Sequence, residues 1–113
     1  MAQNTLSWTD FNNVDIRTGT IIAVEPFPKA RKPAYKLTID FGALGIKRSS
    51  AQLTALYQPD TLLGKQVVAV VNFPPKQIAT FMSECLVLGA VASDGTVTLL
   101  QTERLTENGQ RIG

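Results

Sequence analysis

The sequence predicts an all-β protein: a closed antiparallel barrel of five main strands plus short extra strands, with short helices near the N-terminus and in mid-chain. Three observations predict it. Apolar Tyr35, Leu37, Ile39 and Phe41 alternate with Lys36, Thr38 and Asp40, the period-two pattern of a half-buried strand. Val67, Val68, Ala69, Val70 and Val71 form a β-branched run that suits a strand buried on both faces. An apolar run from Cys85 to Val91, the turn signal Asp94-Gly95 and a short strand at Val97–Gln101 read as a hairpin. Closure is expected because an open sheet this small would leave its edges unpaired.

From the N-terminus onward, Ser7 or Thr9 can cap a turn carrying Trp8 and Phe11. Gly19–Glu25 is β-branched and ends at Pro26 and Pro28, so a strand there gives way to a basic, exposed loop with Lys29, Arg31, Lys32 and Pro33. After the alternating strand, Leu53, Leu56 and Tyr57 stand at helical spacing, which predicts a short helix over Ala51–Tyr57, capped by Ser49 or Ser50 and ended by Pro59. Asn72–Pro75 stop the valine strand. The end of the chain, Leu105–Gly113, is polar apart from Leu105 and Ile112, and both termini read as appendages to the barrel. No internal repeat, low-complexity segment or linker divides the chain, so one domain spanning 1–113 is expected.

Composition excludes most chemistry. Histidine is absent, which removes the commonest general base and metal ligand, and the single Cys85 can form no intrachain disulfide. Nine carboxylates are spread thinly: Asp10 with Asp15 and Glu103 with Glu107 are the nearest pairs and read as surface charge. Ser49, Ser50 and Ser83 have no partner base, and the eight glycines form no phosphate-binding loop. The expectation is a non-enzymatic binding module without metal or cofactor. Eleven Lys and Arg against nine Asp and Glu give a net charge of +2, which permits an anionic partner without demanding one. With no basic leader at Met1–Asp10 and no stretch of about 20 apolar residues, a cytoplasmic protein with no membrane insertion is expected.

Asp15-Ile16-Arg17-Thr18-Gly19 resembles the opening of the tRNA-binding-domain family, and the resemblance runs on through Phe27–Arg31, Ile39–Gly42, Gly45–Gln52, Val70–Pro75 and Ser83–Gly89. Phe27–Arg31 and Ile39–Gly42 resemble the family's secretion-chaperone branch more than the branch fused to methionyl-tRNA synthetases. The resemblance implies an OB fold, a homodimer built partly from the terminal extensions, and an ATP-independent chaperone that holds unfolded or precursor polypeptides for export, with the export ATPase as a candidate partner. The alternative it carries is a structure-specific tRNA-binding module. One departure leans towards peptide: tRNA-binding relatives often carry Ser-x-Gly-Met where this chain has Ser83-Glu84-Cys85-Leu86, and Glu84 would repel phosphate.

A peptide groove needs apolar platforms and backbone-binding polar groups, which Phe41, Ser49, Gln52, Asn72, Phe73, Pro74 and Pro75 offer, with Arg48 and Ser83 beside them. For Phe41 a place in the core is the simpler reading, because it continues the alternation of Leu37 and Ile39. An RNA surface would use Lys29, Arg31, Lys32, Lys36, Lys47, Arg48 and Lys76. Trp8, Phe11 and Ile112 are the candidate dimer contacts.

Overall fold

Residues 4–113 are described by a computed structural model, in which one sheet of five antiparallel strands curls into a nearly closed barrel. The alternating segment forms β2 (Tyr35–Asp40), with Tyr35, Leu37 and Ile39 buried and their neighbours half-buried. It pairs with β1 (Ile16–Pro26) on one side and β3 (Ile46–Ala51) on the other. The valine run forms β4 (Gln66–Val70), buried at every position and paired with the first half of β1. A register shift between Ile21 and Ala23 bends β1, so one long strand serves β4 along Ile16–Thr20 and β2 along Thr20–Pro26. The interior is filled by Ile21, Leu37, Ile39, Phe41, Leu62 and Val67, each with no exposed surface. Gly19 makes room for two of them: a Cβ there would lie 2.7 Å from Ile39 Cγ2 and from the Phe41 ring.

The remaining strands are short. β5 (Lys76–Ile78) and β6 (Phe81–Ser83) form a hairpin, β7 (Leu86–Val87) pairs with β4, and β8 (Gly89–Val91) pairs with β9 (Val97–Leu99). The last of these is the expected hairpin, but only Gly89–Val91 of the apolar run joins it, because Leu86–Val87 pairs with β4 instead; Gly95 takes φ 90° at its turn, where Ala92 N–H donates to Thr96 O. The β5–β6 hairpin was not anticipated. Its turn is made by Ala79 at φ 54°, which carries no glycine or asparagine signal.

The mid-chain helix stands later than expected. Ser49, Ser50 and Ala51 extend β3 and pair with Leu37, Lys36 and Tyr35, so they cap nothing. The helix is α2 (Pro59–Leu62), and Pro59 begins it rather than ending one, since its fixed φ and missing N–H suit a first turn. The periodic Leu53 and Leu56 instead occupy a loop, with Leu53 buried in the core. At the other end, α1 (Trp8–Asn12) is capped by Ser7 Oγ, which accepts from Asp10 N–H at 3.0 Å.

The C-terminal segment is a structural part of the barrel. It runs along the edge of β1 that β2 leaves open: Thr18 N–H donates to Gln110 O, Gly109 N–H to Thr18 O and Ile112 N–H to Ile16 O. Gln66, 5% exposed, staples it from below, with Nε2 donating to Thr106 O at 2.8 Å and Oε1 accepting from Thr106 N–H at 3.0 Å. Gly109, at φ 83°, crosses so close to the Phe41 carbonyl that no side chain would fit.

A candidate binding groove at the barrel seam

β3 and β7 are the two end strands of the sheet and share no ladder, so closure falls to individual groups. Glu84 N–H donates to Arg48 O at 2.7 Å, and Arg48 N–H donates to a Glu84 carboxylate oxygen at 2.9 Å. Ser49 Oγ donates to Cys85 O at 3.0 Å, and Ser50 N–H donates to Ser83 Oγ at 3.1 Å. Beyond Ser50 the walls part. They leave an open groove of about 600 Å³, with Ala51 and Gln52 on one wall, Leu86–Gly89 on the other, and Phe73, Pro74, Val91 and Val97 around it. Phe73 is 54% exposed, Leu86 47% and Val91 69%, so the trough offers apolar surface to solvent.

A second cleft of about 910 Å³ adjoins it, lined by Lys29, Arg31, Lys32 and Ala79 among others. Ser50, Gln52, Lys76 and Ile78 line both, so the two share a wall built from the end of β3 and from β5. No carboxylate lines either one.

The predicted peptide residues divide into three groups. Gln52, Phe73, Pro74 and Ser83 line the groove. Phe41 and Ser49 are fully buried and cannot meet a ligand: Phe41 fills the core, and the Ser49 hydroxyl is spent on Cys85 O. Asn72 is exposed, yet both ends of its amide are committed, Oδ1 accepting from Asp15 N–H at 3.0 Å and Nδ2 donating to Asn13 O at 2.7 Å. It anchors the α1–β1 connection. Pro75 is exposed but lies outside the groove lining.

Of the basic residues, Lys29, Arg31, Lys32 and Lys76 line the second cleft, whereas Lys36, Lys47 and Arg48 do not. Lys36 Nζ sits 4.9 Å from the Phe27 ring and 5.5 Å from that of Phe81, and the Arg48 guanidinium stacks 4.5 Å from Phe81 and reaches Glu25 at 3.5 Å. These two cations cover the Phe27–Phe81 edge-to-face pair, whose centroids are 5.4 Å apart. Glu84, expected to face phosphate, turns its carboxylate onto the Arg48 amide within the seam. Trp8 is 83% exposed, while Phe11 and Ile112 are half-buried.

Cys85 is buried in this seam, and its thiol is pushed up from 9.0 to about 11, chiefly by burial and then by the neighbouring Glu84 charge. Among the described residues, no cluster of three or more His, Cys, Asp or Glu is placed to hold a metal, and no helix is long and apolar enough to cross a membrane. Sequence reasoning missed Ile78, Leu86, Val87, Val91 and Val97 as groove walls. Each is an ordinary strand residue whose exposure depends on which strands fail to pair.

Comparison with known proteins supplies the family. Residues 16–111 match the family described as "Putative tRNA binding domain". The crystal structure of the chaperone CsaA from Bacillus anthracis superposes with a TM-score of 0.92 at 51% identity, covering 96% of this chain and 99% of that one. The CsaA chaperone protein from Picrophilus torridus gives 0.89 at 51% identity, covering 96% and 100%. A methionine–tRNA ligase from Methanococcoides burtonii is 34% identical over 107 residues, 95% of this chain but 16% of that protein. With its OB-like barrel and a family match running from β1 to the C-terminal staple, this chain belongs to the tRNA-binding-domain family and is similar over nearly its whole length to CsaA chaperones.

Proposed function

We propose that this protein is an ATP-independent chaperone that holds exposed, extended segments of unfolded or precursor polypeptides in the seam groove, for delivery to the export machinery. The observation that carries this reading is the unpaired stretch of the seam. β3 and β7 each present a sheet edge to a trough lined mostly by apolar side chains, with Gln52 and Ser83 among them, which is what an extended chain needs for its backbone and alternate side chains. The 51% identity to two CsaA chaperones supports the same reading. Binding is passive, with no cofactor and no covalent step, in a single cytoplasmic OB domain. The working form is a homodimer held through the terminal extensions, for which Trp8, 83% exposed, offers a large apolar contact. Two grooves related by symmetry would raise avidity for a long unfolded chain.

tRNA binding is the second reading, favoured by the uncompensated basic cleft and by the family match. The deciding experiment is a side-by-side titration with a denatured client polypeptide and with bulk tRNA, at low and near-physiological salt. Client binding that survives the salt step while tRNA binding collapses supports the chaperone. Salt-tolerant tRNA binding without client affinity overturns it.

A further inference from the structure

Four ion pairs occur among the described residues, and all of them use arginine: Arg17, Arg48, Arg104 and Arg111. The cations of the second cleft, Lys29, Arg31, Lys32 and Lys76, take part in none of these pairs. Their charge is therefore uncompensated, and it lies across a shared wall from the apolar groove. We infer that the two clefts form one composite site, selective for polypeptide segments in which an apolar stretch is followed or preceded by acidic side chains. This rests on the groove being a polypeptide site.

The spacing follows from the wall. β5 is three residues long, and three extended residues span about 10 Å, so an acidic side chain about three residues from the apolar anchor reaches the cations. Lys76 stands at the junction and faces both parts. An RNA is the poorer occupant of the same cations. Phe27 and Phe81 are 4% and 3% exposed, and no aromatic residue lines the basic cleft, so it has no platform on which a base could stack. A carboxylate needs no such platform.

The test uses three fluorescent peptides with the same apolar core, flanked three to five residues on by aspartates, serines or lysines, titrated by anisotropy at low salt. With two or three exposed ion pairs gained or lost, the aspartate peptide should bind about fivefold to tenfold more tightly than the lysine peptide. The gap should narrow as salt shortens the screening length. In the double variant Lys29→Ser/Lys32→Ser the ratio should fall towards one. Equal affinities for all three peptides overturn the composite site and leave the groove standing; absence of binding by any of them overturns both. If the double variant keeps the peptide ranking but loses affinity for bulk tRNA, the cleft is an RNA surface and the inference fails.

Discussion

Replacing Phe73 by alanine separates binding from folding. An aromatic side chain presents roughly 200 Å² when fully accessible. At 54% exposure, about 110 Å² of Phe73 remains open to a bound chain, the rest being already packed on the protein. At about 25 cal/mol per Å² this surface could contribute up to ~2.7 kcal/mol to client binding if wholly covered. Half coverage gives ~1.4 kcal/mol, so Phe73→Ala should weaken client affinity between about tenfold and a hundredfold. Because Phe73 lies outside the core clusters, urea unfolding should shift by less than about 1 kcal/mol. The assay is competition of a labelled, reduced and carboxymethylated client against wild type and variant, paired with a urea melt of each. Unchanged client affinity in a variant with a normal melt would refute the groove.

Two further outcomes test the scaffold. Gln66→Leu keeps the volume but removes the groups bonded to Thr102, Thr106 and Asn108, and at about 1 kcal/mol per lost bond it should destabilise by ~2–4 kcal/mol. Hydrogen exchange should then accelerate first at Gly109, Gln110 and Ile112, and a loss below about 0.5 kcal/mol would mean the segment is held elsewhere. For Cys85, a folded pKa of about 11 against 9.0 makes native alkylation by iodoacetamide at pH 8 roughly a hundredfold slower than in urea. The folded state favours the neutral thiol, so the stability linked to Cys85 is complete below pH 9.0 and declines as pH rises towards about 11; native and unfolded alkylation rates that match at pH 8 would contradict the burial.

The sequence reveals elements whose signal is local. The alternation around Leu37 and Ile39, the valine run and the Asp94-Gly95 turn each carry their own periodicity or turn chemistry, and each forms where expected. The helix assignment failed because Leu53–Tyr57 closes only a single turn, Tyr57 N–H donating to Leu53 O, while pairing with β2 draws Ser49–Ala51 into a strand. The site was legible where loop residues carry it, as at Phe73, Pro74 and the Lys29–Lys32 loop. It was illegible where exposure depends on pairing. Nothing local tells that Ser49 turns inward, or that the Asn72 amide is spent on Asn13 and Asp15, 59 and 57 residues away.

The seam explains why such a small barrel can keep a groove at all. A ladder running the whole length of β3 and β7 would close the barrel and erase the trough. Leaving the seam wholly unpaired would strand the Arg48 and Glu84 amides in a half-buried place. Instead, closure is confined to the stretch from Arg48 to Ser50, by one backbone bond, Glu84 N–H to Arg48 O, and by side chains that reach across: the Glu84 carboxylate to the Arg48 amide, the Ser83 hydroxyl to the Ser50 amide and the Ser49 hydroxyl to the Cys85 carbonyl. Arg48 and Lys36 then cover the Phe27–Phe81 pair from outside, fixing the β5–β6 hairpin as the wall between the apolar and basic clefts. Ser83-Glu84-Cys85 therefore hold the barrel closed as far as Ser50, and Ser83 and Cys85 also line the groove that opens beyond it, so they bear on a ligand directly as well as through the walls they fix.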